Sequence, residues 1–196
     1  MSVETQQPNT GKSLLDLPSE LRETIYHHAV LNDTKDVTML PDFKCYNNEI
    51  SASQPALCQV NRQLRREVLP IFYGSNLFLA QLDNLSDLLA TNEWLTAIGD
   101  ENVGNLKRLA LCGWTRVPFG HMSSRRWIRV VLHLRDGHVE MERKEAEMTH
   151  PHVEKKIKRL NENFKELVEA RQGARFDVKS VQELTKRFSG LCYSCY

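Results

Sequence analysis

Cys192 and Cys195 stand three positions apart near the end of the chain, which is the spacing of half a tetrahedral zinc site. A structural zinc ion needs about four nitrogen or sulfur ligands. Cys45, Cys58 and Cys112 are scattered, and His150 and His152 lack the spacing that would complete a set, so no metal is expected. His27 and His28 adjoin, and on a helix neighbours point in different directions. His133, His138 and Glu140 fall on one face of a predicted hairpin, where residue types able to exchange protons near neutral pH would meet. The plainer reading of that group is a polar outer face. No nucleophile elbow, phosphate loop or zinc-protease motif occurs. The sequence thus offers no catalytic residue and calls for no cofactor, and it reads as non-enzymatic.

Basic side chains form three further groups. Arg62, Arg65 and Arg66, with Gln59 and Gln63 nearby, lack the interleaved aromatic residues that base stacking needs. Arg125, Arg126 and Arg129 flank Trp127 and read as a strand edge whose charges discourage unwanted pairing. Lys155, Lys156, Lys158 and Arg159 fall on the polar side of a predicted helix, with Glu154 one turn from Lys158. Solvated faces are the better reading throughout. The net charge of +1 supplies no global field for a polyanion, so nucleic acid is disfavoured as a partner.

Bulk properties agree with an ordinary globular chain. At 196 residues it is long enough to bury a core without staples. Five scattered cysteines fit a reducing compartment better than a disulfide framework. The polar start, Met1 to Thr10, lacks the basic and apolar stretches of a signal peptide. No run approaches the ~20 apolar residues that span a bilayer. The expectation is a cytoplasmic or nuclear protein that uses no membrane.

The elements that would position these residues are partly legible. Residues 1–13 read as a disordered leader. A first helix is expected over Leu17 to Val30, with Pro18 in its first turn and Leu21, Ile25 and Ala29 as its apolar face. Residues 32–54 read as an inserted loop, with a short strand around Val37 to Leu40. A second helix is expected from near Ser53 to Tyr73, with Leu57, Val60, Leu64, Val68 and Ile71 on one face. Pro70 should kink or restart it, and Gly74 should end it. Asn76 to Ala80 reads as a strand. Asp83 to Ile98 reads as helical, in one piece or two broken near Thr91, with Leu85, Leu88, Leu89, Trp94, Leu95 and Ile98 inward and Gly99 as its end.

Leu106 to Cys112 is expected as a strand and Gly113 to Ser124 as a loop. Asp136-Gly137 predicts a hairpin over Trp127 to Lys144, pairing Leu134 with Val139 and Leu132 with Met141. Val130, Leu132, Leu134, Val139 and Met141 then share the buried face. Pro151 to Arg171 reads as a helix with an apolar stripe at Val153, Ile157, Leu160, Phe164 and Leu167. A last helix is expected from Ser180, capped by Ser180 and Glu183 and closed by Gly190, with Val181, Leu184 and Phe188 inward. The sum is an α+β protein. A helical module over 14–78 packs with a small, mostly antiparallel sheet and two C-terminal helices over 79–191, the second region being expected to be continuous with the first, followed by a tail at 192–196.

Two segments carry a family likeness. Leu15-Asp16-Leu17-Pro18-Ser19-Glu20-Leu21-Arg22-Glu23-Thr24-Ile25-Tyr26 is one. Pro55-Ala56-Leu57-Cys58-Gln59-Val60-Asn61-Arg62-Gln63-Leu64-Arg65-Arg66-Glu67, continued by Leu69-Pro70-Ile71-Phe72-Tyr73-Gly74-Ser75-Asn76, is the other. In that order they resemble the F-box-like domains of filamentous fungi, over about a third of the chain. The insert between the two helices is longer than in a standard F-box. The resemblance implies a module that docks on the Skp-type adaptor of a cullin–RING ubiquitin ligase. It also implies that Leu17, Pro18, Leu21 and Ile25 lie at the adaptor surface. The alternative is a stand-alone binding protein of this fold, with an unknown protein partner and no adaptor contact. In it the stripe at Val153, Ile157, Leu160, Phe164 and Leu167 serves a partner or a dimer.

Overall fold

The computed structural model describes residues 13–32, 36–39, 50–141 and 150–193. The leader up to residue 12, Cys45, the outer end of the predicted hairpin from Glu142 to Lys144, and Cys195 lie outside the described residues. Among the described residues, five α-helices pack with a mixed six-stranded sheet, so the class is α+β.

A short 3-10 turn, Leu14–Asp16, leads in, closed by Ser13 and Asp16 accepting hydrogen bonds from each other's end of the turn. Helix α1 then spans Ser19–Val30, with Pro18 at its N-cap. Its inward face is not the predicted one. Tyr26 and Val30 are buried and Arg22 is half-buried, whereas Leu21, Ile25 and Ala29 face outward. The helix is turned by one residue because polar bonds from Arg22 and Tyr26, described below, fix its orientation.

The second helical segment is also divided differently. A 3-10 turn at Ala56–Gln59 precedes α2, Arg62–Ser75. Asn61 breaks the run, its side-chain oxygen accepting the Leu64 N–H at 2.8 Å as an N-cap. Val60 is therefore exposed and drops out of the apolar series. Pro70 lies within the continuous α2, and Gly74 sits inside its last turn. The helix ends at Asn76, whose buried side chain donates to the Phe72 and Val30 carbonyls at 2.9 Å each and accepts from the Asn32 N–H at 2.8 Å. One amide thus ties the ends of α1 and α2 together.

Strand β3, counted after two short strands of the insert, spans Leu77–Gln81, and α3 spans Leu85–Val103. Asn84 caps α3, which runs unbroken through Thr91 and kinks at Gly99, where φ is 77°. A further turn follows, so Gly99 bends the helix without ending it. Leu85 and Leu89 are exposed, and Thr91, Leu95 and Ile98 face inward.

The largest departure comes next. Residues 113–124, expected as a loop, belong to a long ribbon made of β4, Arg108–Phe119, and β5, Met122–His133. Gly113, Thr115 and Val117 are buried, while Trp114, Arg116 and Pro118 are exposed, which is strand alternation. A Cβ at Gly113 would meet the Leu82 carbonyl oxygen at 3.0 Å and Cys192 Sγ at 3.2 Å, so the missing side chain lets the last helix lie close on β4.

Strand β6 spans His138–Met141 and pairs Leu132 with Val139 and Val130 with Met141. The register is two residues off the expected one, because four residues rather than two turn the chain. A shift of two preserves the side-chain face, and Val130, Leu132, Leu134, Val139 and Met141 do meet the main core.

The sheet order is β2-β1-β3-β4-β5-β6, with β1 at Val37–Thr38 and β2 at Ile50–Ser51. β4, β5 and β6 form an antiparallel meander. β3 joins β4 in parallel through the α3 crossover, and the insert adds β1 and β2, also parallel, beyond β3. Helix α4, Pro151–Ala170, buries Val153, Leu160 and Phe164 and half-buries Ile157 and Leu167 against the core. Helix α5 runs Val178–Tyr193, earlier and later than expected. Asp177 is its cap, accepting the Ser180 N–H at 2.9 Å, while Glu183 pairs with Arg187 instead.

Candidate protein-interaction surface

The two motif segments meet at one carboxylate. Glu67 of α2 receives Arg22 Nε at 3.0 Å, another Arg22 guanidinium nitrogen at 2.8 Å, Gln63 Nε2 at 2.9 Å and the Tyr26 hydroxyl at 2.8 Å. Arg22 and Tyr26 are four apart on one face of α1, and Gln63 and Glu67 are four apart on α2. The bonds from Arg22, Gln63 and Tyr26 hold the Glu67 carboxyl down at about 2, well below the usual carboxylate range. Burial, together with the bond to Glu67, pushes the Tyr26 hydroxyl up. Arg22 also donates to the Leu17 carbonyl at 2.7 Å, so the same clamp fixes the chain where it enters α1.

That clamp decides what α1 presents. Its inner side is committed to α2, and its outer side carries Leu21 at 53% and Ile25 at 41% exposure. Pro18 is exposed beside them, and Leu17 is half-buried with its carbonyl held by Arg22. All four residues singled out from the sequence therefore lie at the start of α1 or on its outer side. The residues the sequence reading missed are Arg22, Tyr26, Gln63 and Glu67. The available signal was two polar pairs at i, i+4 within the two motif segments.

The other candidate groups separate. Arg65 donates to the Cys58 carbonyl at 2.9 Å, while Arg62 and Arg66 are exposed. Arg129 pairs with Asp36 at 2.9 Å, and Arg125 and Arg126 lie on the outer half of the ribbon. Lys156 is not on a solvated face. It is buried, and its Nζ donates to the Leu191 carbonyl at 2.7 Å, near the negative end of α5. His27 lies 3.9 Å from Glu23, and His133 lies 3.1 Å from Glu140 with the His138 ring 5.6 Å away. Cys192 is buried against Gly113. Among the described residues no helix is long and apolar enough to cross a membrane. No family model, no curated protein and no solved structure matches this chain.

Proposed function

We propose that this chain is a non-enzymatic protein–protein interaction protein that docks through the outer face of α1 on a Skp-type adaptor, linking a partner to a cullin–RING ubiquitin ligase. The observation that carries the reading is the orientation of α1. Leu21 and Ile25 point outward from a helix whose opposite side is locked to α2 by Arg22 and Tyr26. A rigid helix with apolar side chains at i and i+4 is the shape that fits a partner's apolar groove. The resemblance of the two motif segments to F-box-like domains names the partner.

The purified full chain mixed with purified Skp-type adaptor tests it. The wild type is retained on immobilised adaptor. Leu17→Ala with Pro18→Ala weakens retention, and Leu21→Asp with Ile25→Asp removes it, with the circular dichroism spectrum unchanged in both cases. Failure of the wild type to bind overturns the adaptor assignment. The alternative is a stand-alone binding protein without adaptor contact; packing of the stripe from Val153 to Leu167 in or against the core weighs against its using that stripe for a partner or a dimer.

A further inference from the structure

A cavity of about 320 Å³ opens where four segments converge, on elements separate from the outer face of α1. These are the last turn of α2, the α3–β4 connection, the β5–β6 turn and the end of α4 with the α4–α5 connection. Its lining includes Lys107, Arg135, Arg171 and Arg175, and no acidic residue. Like charges gathered on one hollow repel unless something offsets them.

Part of the offset is built in. Helices α2, α3 and α4 end beside the cavity, at Ser75, Val103 and Ala170. Each helix C-terminus carries about half a negative elementary charge. Lys107 lies over the last turn of α2, where a Cβ on Gly74 would be 3.5 Å from Lys107 Cε. Arg171 is fully committed. It bonds to the Ala174 and Arg175 carbonyls, lies 3.7 Å from Asp177 and covers the Phe176 ring at 4.0 Å. Among the described residues Arg175 donates to the neutral Asn105, at 3.3 Å, and makes no ion pair. The Lys107 and Arg135 side chains make no ion pair among the described residues. Three cations of the lining, Lys107, Arg135 and Arg175, therefore have no carboxylate partner among the described residues.

We infer that this cavity is a binding site for a phosphate ester, with the phosphate held by Lys107, Arg135 and Arg175. Phosphate supplies the multiple charge and the acceptor oxygens that a lysine and two arginines match. The volume lies at the small end of ligand pockets, which run from about 300 to 1,000 Å³, so a sugar phosphate or one phosphorylated side chain fits and a dinucleotide does not. The three cations have exposed side chains, able to close on an incoming anion without refolding the core.

Calorimetric titration of the full chain with ribose 5-phosphate, with a short phosphoserine peptide and with sodium sulfate at constant ionic strength tests this. Saturable binding of either ester, weakened roughly tenfold or more by Lys107→Gln with Arg135→Gln, supports the site, and the tighter ester names the source of the phosphate. Arg175→Gln alone serves as a second variant should the double one melt early. No saturable heat at millimolar ester overturns the inference, as does equal binding of sulfate or equal binding by the variants. Adaptor capture through α1 stays unchanged in these variants, so failure here and failure of the adaptor reading are separable.

Discussion

Glu67 is the residue on which the N-terminal half turns, and its charge state makes the clamp sensitive to acid. Its carboxyl titrates at about 2 in the folded chain against 4.5 ordinarily. A depressed folded value means that stabilisation is complete above about 4.5 and is lost as pH falls through the folded value. In urea melts, the wild type should lose its advantage over Glu67→Gln between pH 4.5 and about 2, and the two should converge below that range. At neutral pH, Glu67→Ala should lower stability by roughly 2 kcal/mol, because Tyr26 and Arg22 lose their acceptor at a part-buried site. Residue-scale reading of the sequence failed here for a definite reason. Counting only apolar residues gave α1 the face Leu21-Ile25-Ala29, whereas two polar-ended side chains, Arg22 and Tyr26, set its rotation. Of the four residues named from the resemblance, Pro18, Leu21 and Ile25 are exposed and Leu17 is half-buried.

Element boundaries follow caps and turns more than apolar spacing. Asn61 splits the predicted second helix although Leu57, Leu64 and Val68 keep the periodicity across the break. Asn61→Ala should cost about 1 kcal/mol, read as a lower thermal midpoint with little change in helix content. The ribbon of β4 and β5 was illegible for the opposite reason. Gly113, Pro118, Gly120 and the pair Ser123-Ser124 are turn-forming types, yet only Gly120-His121 turns. Gly113 instead marks a close approach, and Gly113→Ala should destabilise by 1 kcal/mol or more, since its Cβ would meet a backbone oxygen at 3.0 Å. The hairpin face, the strand at Leu77 and the α4 stripe were legible because alternation or helical spacing ran uninterrupted through each.

At the scale of the molecule, the helical module and the α+β region expected to be continuous with it contribute residues to one core cluster. β3 begins inside the module, at Leu77, and pairs with β1 from the insert on one side and β4 on the other. Phe72, Tyr73 and Phe78 pack in the same cluster as Leu109, Leu132 and Phe188. Residues 14–78 expressed alone should therefore lack a cooperative thermal transition, while the full chain should show a single one by both near- and far-ultraviolet dichroism. Sequence pattern located most elements but not the sheet order, because pairing between β1, β2 and β3 depends on contacts that local spacing does not encode.

The two short strands of the insert have a consequence for tolerance to length change. Val37–Thr38 and Ile50–Ser51 are each fixed to the sheet, which splits the path from α1 to α2 into short closures anchored at both ends. The entropy of closing a flexible loop grows only with the logarithm of its length, about 0.6 kcal/mol for each doubling. Extra residues placed between Met39 and Ile50 should thus leave the melting temperature nearly unchanged. The same insertion between Asn32 and Asp36 sits beside the Asn76 and Arg129 contacts and should cost more. Added length between the two short strands should, by this measure, cost less than the same length added before the first of them.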